Sequence, residues 1–155
     1  MVASHEAATK IVVGTDGSPT ATAAVRRAVQ LAAAQGAMLH VVTAYRPKMS
    51  RETARASVAM PDERRWQVSP GEVAERTARA AAKTAVAAGL DVEWHTKPGD
   101  AADVLVDVVD EVGADLLVIG NKGMRGAGHM VIPSVPNRIS HRATCDILLV
   151  DTSAA

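Results

Sequence analysis

The sequence predicts an α/β fold, a five-stranded and mainly parallel sheet with helices on both faces, and three observations point to it. Five short runs rich in Val, Ile and Leu recur along the 155 residues: Ile11–Val13, Met38–Val42, Val92–His95, Leu116–Ile119 and Ile147–Val150. Most are continuous rather than alternating, as suits strands covered on both sides. Segments of helical period lie between them, and Gly36, Gly89 and Gly113 each end one such segment just before an apolar run. Glycine supplies the left-handed position that terminates a helix, so each joint reads as helix, turn, strand. Repeated alternation of this kind builds parallel crossovers.

The elements follow in order. After the first run come Gly14-Thr15-Asp16-Gly17-Ser18 and a helix whose Ala21, Ala24, Val25, Ala28, Val29 and Ala32 share one small-residue face. Such a face packs closely on a sheet. Beyond the second run, Arg46 to Pro70 breaks the rhythm with Pro47, Pro61 and Pro70 and reads as a long, mobile excursion. The second helix is expected from about Gly71 to Ala88, with Val73, Thr77, Ala80, Ala81 and Thr84 inward. Glu72 with Arg76 and Glu75 with Arg79 stand at i,i+4 on its outer face. The third run interleaves Glu93 and His95 and reads as half-exposed, hence peripheral. Asp100 is the expected N-cap of a third helix that buries Ala101, Val104, Leu105, Val108 and Val112. A fourth helix follows Ser134. One domain over residues 1–155 is expected, with Met1–Thr9 and Thr152–Ala155 as loose tails.

Composition excludes several classes. Seventeen basic and seventeen acidic residues cancel, which gives no global electrostatic case for nucleic acid or an anionic membrane as partner. The apolar stretches are strand-length, too short to span a bilayer. The first ten residues carry no secretory hydrophobic segment, and the lone Cys145 has no internal disulfide partner. A reducing cytoplasm is the expected location. Tyr45, Trp66 and Trp94 are the whole aromatic inventory, too few for a stacking platform or a flavin pocket.

The most informative segment joins the fourth run to the fourth helix. Ile119 and Gly120 end the run, and the loop beyond holds Gly123, Gly126 and Gly128 with Lys122, Arg125 and His129. Ser134 is placed to cap the helix that follows. A buried strand, a glycine-rich turn and a helix start are the parts of a phosphate cradle, because bare backbone and unpaired N–H groups approach an anion closely. The competing reading is a mobile surface loop. No Gly-Lys-Ser/Thr of a Walker loop is present. In an open α/β sheet, ligands gather at the carboxyl ends of strands where strand order reverses. There the loop would meet the Gly14–Ser18 turn. Asp16 either shapes that turn or accepts hydrogen bonds from a ligand.

These residues resemble the universal stress protein family over nearly the whole chain. The similarity lies in Lys10-Ile-Val-Val-Gly-Thr-Asp-Gly-Ser18, Leu39-His-Val-Val42 and Ser134-Val-Pro-Asn-Arg-Ile-Ser-His-Arg-Ala-Thr-Cys-Asp-Ile-Leu-Leu-Val150. The family's nucleotide-binding branch carries Gly, two residues, Gly, nine residues, then Gly and Ser or Thr. Gly120, Gly123 and Ser134 match, whereas Pro133 stands where that pattern has glycine. The resemblance implies a Rossmann-like sheet ordered 3-2-1-4-5, a homodimer, and binding of an adenine nucleotide, ATP or a relative such as cyclic AMP, with Mg a possible companion of ATP. By the same resemblance Asp16 and Val41 would face the adenine and ribose, Gly120 and Gly123 the ribose–phosphate path, and Ser134 and Val135 the phosphate end. Gly14, Ile119, Lys122 and Arg125 complete the expected site. Proline has no N–H, so if the family's glycine N–H meets phosphate, Pro133 removes one charge-assisted hydrogen bond, worth about 1.5–3 kcal/mol or roughly 10- to 150-fold in affinity, which Lys122 and Arg125 would partly offset.

Catalytic machinery is sparse. Ser18 and Ser134 have no evident activating base, His129 reads as a solvated loop residue, and His40 as a hydrogen-bonded packing residue. No set of His, Asp, Glu or Cys shows metal-ligand spacing. The expectation is a non-enzymatic, nucleotide-responsive stress regulator that dimerises through its final strand. The alternatives are a nucleotide-independent interaction protein and a slow ATP hydrolase.

Overall fold

The computed structural model describes residues 8–47, 69–121 and 134–153. Five strands form one sheet: β1 (Lys10–Gly14), β2 (Met38–Tyr45), β3 (Val92–Pro98), β4 (Leu116–Gly120) and β5 (Asp146–Val150). They lie in the order β3-β2-β1-β4-β5, and every pairing is parallel. Ile11 of the central strand sits beside Leu39 on one side and Leu116 on the other. The expected class and order are therefore those observed. The half-exposed third run is an edge strand, as its interleaved polar residues implied.

Helix α1 (Pro19–Gln35) starts where Ser18 Oγ accepts the Ala21 N–H at 3.2 Å and Pro19 pre-sets the first turn. It stops at Gly36, whose φ of 65° is left-handed and whose N–H reaches the Ala32 carbonyl. Its buried face is Ala24, Val25, Ala28, Val29 and Ala32, as expected. Helix α2 (Pro70–Ala87) opens with a capping box, Ser69 Oγ accepting from the Glu72 N–H and Glu72 Oε2 from the Ser69 N–H. Ser69 and Pro70 thus belong to the helix start and not to the excursion, whose residues 48–68 lie outside the described ones. Helix α3 (Ala101–Val112) is capped by Asp100, which accepts from the Ala102 N–H at 3.0 Å, and α4 (Ser134–Ser140) is a short helix of seven residues.

The inward face of α2 differs from the expected one. Ala74, Ala78, Ala82 and Ala85 are buried, whereas Val73 is 49% exposed. The close approach of helix to sheet selects the smallest side chains, so the alanine stripe outcompetes valine for the core. Arg79 pairs with Glu75 at 3.4 Å as expected, while Glu72 turns back to the cap. In α3 the buried set is Ala102, Val104, Leu105, Val106, Val108 and Val109, a wider face than the sequence suggested, with Ala101 and Val112 only half-buried.

Two cores flank the sheet. Ile11, Val13, Leu39, Val41 and Val118 pack under α1 and α2, and Val12, Val42, Leu117 and Ile119 under α3 and α4. Of the expected loose tails, residues 1–7 and 154–155 lie outside the described ones, and the described flanks are held by hydrogen bonds. Thr152 is buried, and its N–H and hydroxyl both reach Asn121 Oδ1 at 2.9 and 2.8 Å. At the other end, Asp115 Oδ2 accepts from the Thr9 and Lys10 N–H groups at 2.8 and 3.0 Å and from the Thr9 hydroxyl. The Thr9 N–H, then that of Lys10, holds the Asp115 carboxyl below its ordinary range. A depressed carboxylate stabilises the fold above its unfolded pKa, and that contribution is lost as pH falls through the lowered folded value. Asp115→Ala should therefore cost up to about 1 kcal/mol at neutral pH, the site being exposed, and almost nothing near pH 2. Urea titrations of both proteins at the two pH values measure this, and an equal cost at both would contradict it.

Candidate nucleotide site

From β1 the chain builds β2 and β3 on one side and then resumes at β4 on the other, so strand order reverses between β1 and β4. Val13 sits beside Val118, so the two strands end together. Gly14 thereby falls in line with Ile119, and Gly120 lies against the Thr20 carbonyl at the start of α1.

The turn after β1 is held by its own side chains. The Thr15 N–H reaches the Val42 carbonyl at 2.9 Å, and buried Thr15 Oγ1 accepts from the Gly17 N–H at 3.1 Å. Exposed Asp16 accepts from the Ser18 N–H through Oδ1 at 2.9 Å, so its turn-shaping role is realised. Gly17 has a φ of 80°, a conformation that side chains resist. The other glycines here are close-packed. A Cβ on Gly14 would stand 3.1 Å from the Leu105 methyls, and one on Gly120 would stand 3.3 Å from Thr152 Cγ2 and 3.4 Å from the Thr20 carbonyl oxygen. Packing within the protein already accounts for both.

Beside this turn a cleft of about 430 Å³ opens between α1 and α2, lined among others by Thr15, Gly17, Val25, Arg76, Thr77 and Ala81. The stripe of Thr77, Ala80, Ala81 and Thr84, expected to pack inward, instead lines this cleft. That was the available signal for it: a mixed Ala and Thr face is too polar for a core and smooth enough for a ligand wall.

Val41 and Ile119 are expected site residues with buried side chains. Val41 is fully buried in the α1-side core, so its side chain faces protein and only its main chain is left to meet a ligand. Ile119 is likewise buried, in the α3-side core. Ser134 occupies the first position of α4 rather than a place before it, and Val135 is half-buried against the α3-side core. Lys122, Gly123, Arg125, His129 and Pro133 lie outside the described residues.

Linear spacing offers no metal-ligand set, but the sheet brings one potential set together. Among the described residues, His40, Glu93 and His95 bring three ligand atoms within 4.8 Å of one another. Parallel pairing sets residue 40 beside residue 93, a proximity invisible in linear spacing. Cys145 is free and half-buried, and burial, before the neighbouring carboxylates, pushes its thiol up, away from reactivity.

The family model for the universal stress protein family matches residues 8–151. The chain belongs to the universal stress protein family. A universal stress protein of Mycobacterium tuberculosis (strain H37Rv) is 38% identical over 143 residues, covering 92% of this chain and 96% of that protein. The crystal structure of a universal stress protein in complex with cAMP superposes with a TM-score of 0.71 at 37% identity, covering 95% of this chain and 99% of the other. A universal stress protein from Archaeoglobus fulgidus gives a TM-score of 0.67 at 25% identity, over 91% of this chain and 97% of that one. Among the described residues no helix is long and apolar enough to cross a membrane.

Proposed function

We propose that this universal stress protein is a non-enzymatic binder of an adenine nucleotide, held at the carboxyl ends of β1 and β4, and that it acts as a homodimer. The observation that carries the reading is the switch point itself. Strand order reverses between β1 and β4, and the turn after β1 and the end of β4 flank that reversal, the place where an open α/β sheet takes its ligands. The residues present fit such a group. Asp16 offers an exposed carboxylate for ribose or amino hydrogens, and the sequence sets Lys122 and Arg125, cationic heads suited to phosphate, just after β4.

Cyclic AMP is the favoured ligand. The relative at 37% identity is a cAMP complex. Pro133, with no N–H to donate, bears most heavily on a triphosphate and least on a single cyclic phosphate. Isothermal titration with cAMP, AMP, ATP and adenosine is the direct test, with cAMP expected to bind about tenfold or more tightly than ATP. Pro133→Gly should narrow that gap. Asp16→Asn keeps an oxygen for the Ser18 N–H while removing the charge, so its expected cost is about tenfold in affinity with the fold intact. Absence of binding by all four ligands at millimolar concentration would overturn the proposal in favour of a protein-interaction role.

A further inference from the structure

We propose that His40, Glu93 and His95 form a binding site for a borderline divalent cation, best matched by zinc, on the β2–β3 pair. The site is separate from the nucleotide cleft. Alternate residues of a strand share a face, and Val42 packs in the α3-side core, so His40 faces that side as well. The register puts Glu93 beside His40 and His95 beside Val42, which gathers all three side chains on one face.

Three ligand atoms converge there. His40 Nδ1 lies 3.1 Å from His95 Nε2 and 3.5 Å from Glu93 Oε2, and the remaining separation, His95 Nε2 to Glu93 Oε2, is 4.0 Å. Zinc bonds of about 2.1 Å in tetrahedral geometry hold ligand atoms roughly 3.4 Å apart, so small side-chain adjustments suffice to seat the ion. Two imidazoles and one carboxylate are a common zinc set that leaves a fourth position for water. Glu93 is 57% exposed, so that position opens to solvent.

The competing reading is a buried histidine satisfied by its neighbour. It accounts for the cluster incompletely, because a proton bridging the rings leaves the Glu93 carboxylate, 3.5 and 4.0 Å from the two facing nitrogens, outside good hydrogen-bond reach of both. One shared proton between the two rings satisfies Nδ1 and Nε2 of the facing pair and nothing else. A cation uses all three converging lone pairs at once. The nearby Lys97 ammonium is paired with Glu111 of α3. A divalent cation in the cluster would pin the edge strand β3 to β2 without redox chemistry.

The test is titration of metal-free protein with Zn²⁺ by calorimetry and with Co²⁺ by visible absorption, with circular dichroism as the check on folding. One ion per chain is expected, with the intense bands of a tetrahedral cobalt centre. Glu93→Gln and His95→Gln are the variants of choice because both side chains reach solvent more readily than His40. Each should weaken binding at least about tenfold, while His141→Gln, at an exposed histidine outside the cluster, should change nothing. Binding left unchanged by both cluster variants, or no binding at 100-micromolar-scale metal concentrations, would overturn the proposal.

Discussion

Replacing Ile139 with alanine should destabilise the protein by about 2–5 kcal/mol, the usual cost of truncating a fully buried isoleucine. Helix α4 has seven residues, too few to persist without tertiary contacts. Two devices hold it on α3. Ile139 enters the α3-side core at 0% exposure, and Arg138 reaches Asp100 Oδ1 at 2.7 Å and Asp103 Oδ1 at 3.0 Å, with Arg142 also on Asp103. The ion pairs stand in solvent, Arg138 being 42% exposed, so each is worth only about 0.2–1 kcal/mol. Burial decides the anchoring. Arg138→Ala should accordingly cost under about 1–2 kcal/mol in urea unfolding, well below Ile139→Ala. Because α4 begins at Ser134, loosening it should also weaken nucleotide binding. Equal costs for the two variants would show that the charge network and not the core seats this helix. Loss of hydrogen-exchange protection confined to α4, with an unchanged urea midpoint, would show instead that the helix opens as a local unit.

The sheet was legible because its signals are local. Continuous Val and Ile runs and the glycines at 36, 89 and 113 need no knowledge of distant residues, and the strands and helix ends fall where those signals put them. The face of α2 was misread because hydrophobicity ranks valine above alanine, whereas a helix lying close on a sheet admits alanine and turns Val73 and Val86 outward. Thr152 was taken for tail because nothing in a short polar terminus announces that Asn121, far back in the chain, will accept its hydrogen bonds. The same limit hid the metal-like cluster. His40 and His95 are 55 residues apart, and only the β2–β3 register makes them neighbours. At the candidate nucleotide site, the Asp16 turn and the Gly120 end were legible as turn chemistry after apolar runs. So was the burial of Val41, because a continuous apolar run predicts a strand covered on both faces.

Leu149→Lys should convert the proposed homodimer into a monomer. Strand β5 is an edge of the sheet, and its Ile147-Leu148-Leu149-Val150 core has none of the charge or proline that protects an edge from pairing. The opposite edge, β3, carries Glu93, Lys97 and Pro98 and is guarded in that way. Within β5 the side chains divide. Leu148 and Val150 pack against the α1-side core and Ile147 against the other, while Leu149 is 41% exposed. A partner at this edge would therefore cover Leu149, and a lysine at Leu148 would test the core and not the interface. A two-fold partner laying its own β5 alongside would pair the edge and bury Leu149 twice, once from each copy. A lysine ammonium buried in that contact without a partner costs several kcal/mol, on the order of a 100-fold or larger loss of association. Light scattering at high micromolar concentration should give twice 16.1 kDa for the wild type and 16.1 kDa for the variant, with unchanged circular dichroism. A wild type that is already monomeric would defeat the dimer. A variant that stays dimeric would move the interface away from β5.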